Sequence, residues 1–99
     1  MEFLLMGRTK ADKEHLAKLV DLGCCVCHRE GHGYSQPEIH HIRSRAGAGQ
    51  RSADREAIPL CAAHHRVGGY GIAFHAGKKG FEARYGTEED LLAWTLERI

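Results

Sequence analysis

The chain has 99 residues, 42% of them apolar and 27% charged, with a net charge of +1 when its histidines are neutral. That length supports one small domain rather than two, and the composition excludes a disordered or fibrous chain and a polybasic one. Phe3-Leu4-Leu5-Met6 is too short for a signal-peptide core or a membrane span, so an intracellular location with no membrane partner is expected, where the four cysteines bind metal rather than pair as disulfides.

In chain order, residues 1–8 are expected to be flexible, with the whole of 1–99 forming a single domain. Thr9 and Asp12 have the spacing of a helix-opening box, Leu16, Leu19, Val20 and Leu22 recur at helical intervals, and Gly23 stops the run, so a helix is predicted over Lys10–Leu22. Cys24 to Cys27 makes a tight knuckle, and Gly31, Gly33 and Pro37 mark irregular chain. A strand follows at Glu38–Ile42, then an exposed loop over Ser44–Asp54 that is rich in Gly, Ala, Ser and Arg. A short strand spans Ala57–Leu60, and a helix starts over Ala62–Val67 and is broken by Gly68, Gly69 and Gly71. Further helices are predicted at Lys78–Tyr85 and, capped by Thr87 with Asp90, through Trp94 and Leu96. Tyr70, Phe74, Phe81, Tyr85 and Trp94 are assigned to the core, although Tyr70, in a Gly-rich turn, is also suited to stacking on a base. His15 is assigned to the surface, and Glu88, Glu89 and Asp90 to the first turn of the last helix with no further role.

Cys24-x-x-Cys27 and Cys61-x-x-His64 make a four-ligand Cys3His set, with Cys25 as an alternative first ligand. Two residues between ligands let one turn aim both at a single ion, and such sets hold zinc tetrahedrally. A knuckle carrying one pair and a helix start carrying the other is a treble-clef arrangement, and its zinc contributes folding energy rather than chemistry. His65 follows ligand His64 and points elsewhere. His40 and His41 end a strand, where neighbours face opposite sides, so one suits a second metal and the other a substrate or water. Arg43, Arg45, Arg51, Arg55 and Arg66 lie around these histidines against Asp54 and Glu56, a local basic patch fit to attract phosphates.

The order strand, loop, strand, helix, with His40-His41 and Leu60-Cys61-x-x-His64-His65, resembles the HNH (ββα-metal) nucleases. The resemblance implies a small α+β fold, a ββα-metal core with flanking helices. It also implies His40 and His65 as ligands of a catalytic divalent ion (magnesium, manganese or zinc), beside the structural zinc, and His41 as general base. His75 is read as a third metal ligand or a phosphate contact, or equally as a capping or surface histidine, and Arg43, Arg45, Arg66 and Lys78 are candidate phosphate binders. The asparagine that orients the base in many HNH members falls near Glu56; the chain contains no asparagine, so Glu56, the Ala57 carbonyl or another group must serve.

A closer resemblance covers nearly the whole chain. Thr9-Lys10-Ala11-x-Lys13-Glu14-His15-Leu16, Leu22-Gly23-Cys24, Glu38-Ile39-His40-His41-Ile42, Pro59-Leu60-Cys61-x-x-His64-His65-Arg66 and His75-x-Gly77-Lys78-x-x-Phe81-Glu82-x-Arg84-Tyr85-Gly86-Thr87-Glu88 are similar to the phage recombination-enhancement (Ref-type), recombinase-dependent nucleases. This implies a DNA endonuclease of phage or prophage origin acting in the cytoplasm of a bacterial host on DNA coated by the recombinase filament. The best-known members carry a long basic N-terminal arm, where here eight residues precede Thr9. Two other classes compete. A non-catalytic treble-clef zinc module binding DNA or protein accounts for the Cys3His set but not for His40, His41 and His65. A zinc deaminase finds half its signature in His28-Arg29-Glu30 but lacks the Pro-Cys-x-x-Cys half.

Overall fold

The computed structural model describes residues 8–43 and 53–99. Helix α1 (Lys10–Leu22) opens as its sequence requires: the Asp12 N–H donates to the Thr9 hydroxyl at 3.0 Å, and the Thr9 N–H donates to the Asp12 carboxylate at 3.2 Å. A short helix α2 (Cys25–Arg29) forms the knuckle. Strands β1 (Pro37–His41) and β2 (Ala57–Cys61) pair antiparallel, placing His40 opposite Ile58 and His41 opposite Ala57. Helices α3 (Lys78–Tyr85) and α4 (Glu88–Leu96) complete the small α+β, ββα-type fold. The bounds of α1, β1, β2, α3 and α4 fall within about a residue of the sequence expectation, because caps, glycines and apolar spacing act locally, while the expected knuckle is a helical turn that runs on to Arg29.

The expected helix after β2 departs from the α form. Residues Ala63–Val67 make one wide π-type turn, closed by the Gly68 N–H donating to the Ala63 carbonyl at 2.9 Å. A Cβ on Gly68 would sit 2.4 Å from that carbonyl oxygen and 2.6 Å from Ile72, so glycine is what lets the turn close. Turns of this kind are frequent at functional sites. Two further single turns, Asp54–Glu56 and Phe74–Ala76, flank β2 and lead into α3.

Helices α1, α2 and α4 all pack against β2, which is why Ala57–Leu60 is buried throughout instead of alternating. Leu19, Val26, Ile42, Ile58, Leu60, Phe74, Phe81, Leu91 and Leu92 form the core. Two assignments from sequence are corrected. His15 is 8% exposed, because α1 packs against the Asp54–Glu56 turn; burial, with Arg55 and Lys18 nearby, holds its pKa down. Tyr70 is 75% exposed and outside the core. Of the expected loop, 44–52 lies outside the described residues. Arg8, expected to be flexible, ion-pairs with Asp54 at 2.7 Å.

Helix α4 is set by a second reciprocal box: the Asp90 N–H donates to the Thr87 hydroxyl at 3.1 Å and the Thr87 N–H to the Asp90 carboxylate at 3.3 Å. Thr87→Ala should therefore destabilise the protein by about 1 kcal/mol. For a domain of this size that is a melting temperature roughly 4–8 °C lower, and an unchanged melting curve would show that packing alone places α4.

Candidate metal centres and active site

Cys24, Cys27, Cys61 and His64 converge. The Cys27 and Cys61 sulfurs are 3.9 Å apart, and His64 Nδ1 lies 3.6, 3.6 and 3.3 Å from the sulfurs of Cys24, Cys27 and Cys61. A tetrahedral ion with Zn–S of ~2.3 Å and Zn–N of ~2.0–2.1 Å gives S···S edges of about 3.8 Å and S···N edges of about 3.6 Å, so the donor set fits zinc. The ambiguity between Cys24 and Cys25 resolves: Cys24 joins the cluster, while Cys25 is fully buried against Thr95. Burial pushes both thiols up to about 12. For Cys24, which stands among two more sulfurs and an imidazole, a bound cation is what would stabilise the thiolate.

A second cluster joins His40, His65 and His75. His65 Nε2 lies 3.2 Å from His40 Nδ1 and 3.1 Å from His75 Nε2. Nitrogens held at ~2.0–2.1 Å around one ion are about 2.9–3.4 Å apart, so this set also fits a metal. The opposite ring nitrogens are held by carboxylates. His40 Nε2–H donates to Glu88 at 2.7 Å, and His65 Nδ1–H donates to Glu38 at 2.7 Å. With those protons placed, the lone pairs of His40 Nδ1 and His65 Nε2 face each other, the tautomers a cation requires. Glu88 is 1% exposed and also accepts from the Arg43 N–H at 2.8 Å. Burial, with the neighbouring His65, His40 and Arg43, lowers the His75 pKa, a shift towards the neutral imidazole that ligation requires.

His41 takes a different environment from its neighbour. Its Nε2–H donates to Asp54 at 2.7 Å, and Asp54 accepts from Arg8 Nε at 2.7 Å and Nη2 at 3.3 Å. The hydrogen bonds from Arg8 and His41 hold the Asp54 carboxyl down to about 2 against the opposing effect of burial. The folded pKa lies below the ordinary 3.8, so this contribution to stability is complete above that value and is lost as pH falls towards 2. Asp54, with Arg8 behind it, is the carboxylate that faces His41.

Residues 8–99 match the family model described as recombination enhancement, RecA-dependent nuclease. The chain belongs to that family. No curated protein matches it.

In this nuclease, Arg43, His75 and Lys78 line one cleft of about 320 Å³ together with Phe74, Ala76 and Gly77. Lys78 makes a loose contact of 4.0 Å with Glu82. Arg66 does not join them: its fork holds Glu38, with Nε at 3.0 Å from both carboxylate oxygens and Nη2 at 2.7 Å from Oε2. Arg66, with His65, keeps the Glu38 carboxyl down at about 2, ionised where His65 needs an acceptor. Arg45 lies outside the described residues. Sequence reasoning missed three carboxylates. Glu38 was accessible, since it lies two residues before His40 on the same face of β1. Glu88 was not: it is 48 positions from its partner His40. Asp54 follows from the register, which puts His41 at the beginning of β2.

Glu88→Gln should weaken metal binding at the histidine cluster roughly 10–100-fold while leaving the Cys3His site intact. Competitive chelator titration of cobalt(II) or zinc, which resolves the two sites by their spectra and affinities, reads this; equal affinity in the variant would remove Glu88 from the site.

Proposed function

We propose that this nuclease is a metal-dependent DNA endonuclease of the HNH (ββα-metal) class, hydrolysing phosphodiester bonds with His41 as general base and acting on DNA held by a RecA filament. The observation that carries the reading is the divergence of two adjacent imidazoles. His40 enters a three-histidine set in which carboxylates direct the ring nitrogens of His40 and His65, and His41 enters a separate pair with Asp54.

The chemistry follows from where the protons are. With Nε2–H on Asp54, His41 presents Nδ1 as its basic nitrogen. Nδ1 takes a proton from water as the oxygen attacks phosphorus in line, and the ionised Asp54 stabilises the imidazolium that results. Arg8 holds Asp54 and thereby the plane of the His41 ring. A divalent ion on His40, His65 and His75 would supply electrostatic stabilisation of the phosphorane-like charge and of the leaving oxygen. Arg43 and Lys78, on the cleft beside His75, would grip the phosphate backbone. Zinc on Cys24, Cys27, Cys61 and His64 would hold the π-type turn that carries His65. A zinc module that binds without cutting would need the Cys3His set but not Glu38, Glu88 and Asp54 each on a histidine nitrogen.

His41→Ala should lower cleavage by roughly 10²- to 10⁴-fold, the contribution of a positioned base, with its melting curve retained. The measurement is cutting of plasmid and single-stranded DNA with magnesium, manganese or zinc, with and without RecA filaments. Cutting by folded His41→Ala at the wild-type rate would remove the base assignment. A wild type that binds DNA under every condition and never cuts would make the chain a zinc binding module.

A further inference from the structure

We propose that Tyr70 is a stacking platform for an unpaired nucleotide of the DNA substrate, seated beside the cleft of Arg43, His75 and Lys78. The proposal rests on the nuclease reading and specifies the state of the strand that the site accepts.

Tyr70 stands between Gly69 at φ +84° and Gly71 at φ +85°, both in the left-handed region that glycine adopts without strain. The bend returns the tyrosine over the start of α3. There its ring lies on two positions that have no side chain. A Cβ on Gly77 would be 2.7 Å from ring atoms Cδ2 and Cε2, and one on Gly80 would be 2.9 Å from Cε1 and Cζ. Gly80 lies within α3, where glycine is about 1 kcal/mol worse than alanine. Four glycines therefore hold one tyrosine, and yet the residue is 75% exposed. Burial of apolar surface does not account for the arrangement. An aromatic ring fixed from beneath and bare above is a surface on which another flat ring can be placed without first ordering the side chain.

The surroundings say which ring. Gly77, under Tyr70, is also a wall of the 320 Å³ cleft lined by Arg43, His75 and Lys78. Cations that would take a phosphate thus adjoin an aromatic that would take a base, and His75 ties both to the histidine cluster. Bases inside a duplex are stacked on one another and cannot present a face, so the occupant is a nucleotide of a single or displaced strand. Stacking of this kind tolerates any base, since each has a π-face.

The test is steady-state cleavage of a single-stranded oligonucleotide, bare and coated by a RecA filament, with magnesium, manganese or zinc. Tyr70→Ala should raise KM about 5- to 150-fold, the range for losing one stacked base, with the loss on KM rather than kcat. Tyr70→Phe and Tyr70→Trp should restore it. Gly80→Ala should raise KM by displacing the ring while the melting temperature stays level or rises. In parallel, binding of an oligonucleotide carrying 2-aminopurine is followed by fluorescence in the non-cutting His41→Ala background. Quenching on binding that disappears with Tyr70→Ala supports the platform whether or not cleavage is seen. Unchanged KM in Tyr70→Ala, or quenching that survives it, overturns the proposal and leaves the nuclease reading standing. An absence of cleavage with Tyr70-dependent quenching would overturn the nuclease reading alone.

Discussion

The arrangement depends on one turn of chain. Between Ala63 and Val67 the backbone makes a single wide turn, and within it consecutive residues serve different clusters: His64 reaches the three cysteine sulfurs and His65 reaches His40 and His75. Neighbours on such a turn project in directions about a quarter turn apart, so one residue of slippage would empty both sets together. Gly68 is the closure of that turn, since no side chain fits where its Cβ would be. A Cys3His zinc would join α2, β2 and the turn, which makes its binding energy part of the folding energy of a domain with a modest core. The same staple would set the position of His65, which belongs to the histidine cluster.

A second regularity is the placement of carboxylates behind imidazoles. Glu88, Glu38 and Asp54 each accept from one ring nitrogen, of His40, His65 and His41 in turn, and so direct the other nitrogen outward. Two of the three are held in turn by arginines, Glu38 by Arg66 and Asp54 by Arg8, and both carboxyls are held down at about 2. An acceptor that stays ionised keeps its histidine in one tautomer over the whole range in which histidine itself titrates. Arg66, which its position beside the histidines suggested for phosphate, instead serves this inner arrangement. The cations on the cleft are Arg43 and Lys78.

The hairpin gives adjacent histidines their separate surroundings. Alternation along β1 puts His40 against Phe74 and Glu88 and His41 against Asp54. The first is 3% exposed and buried with its carboxylate; the second lies beside the turn that precedes β2. A buried imidazole with a buried carboxylate is suited to hold a cation, and a partly exposed one with an ionised partner to exchange a proton with water. Membership of the nuclease family and the separate surroundings of His40 and His41 are independent observations.

Much of this was legible in the amino-acid order. Helices α1 and α4 follow from Thr9 with Asp12 and from Thr87 with Asp90, and the end of α3 from Gly86 and Thr87, because caps and stops involve residues a few positions apart. The Cys3His set follows from two x-x spacings, and His40, His41 and His65 from their order and their resemblance to known nucleases. Such features are local or are carried by a motif. What the tertiary structure alone decided are the partners between distant segments: Glu88 for His40, Asp54 for His41 with Arg8 behind it, Arg66 turned to Glu38, His75 brought into the cluster, His15 buried and Tyr70 left in water on its glycine shelf. These pairs depend on how helices pack on the hairpin and on the strand register. Neither is encoded in the spacing of any one segment, because a side chain's partner is chosen by where the whole chain brings a complementary group within about 3 Å.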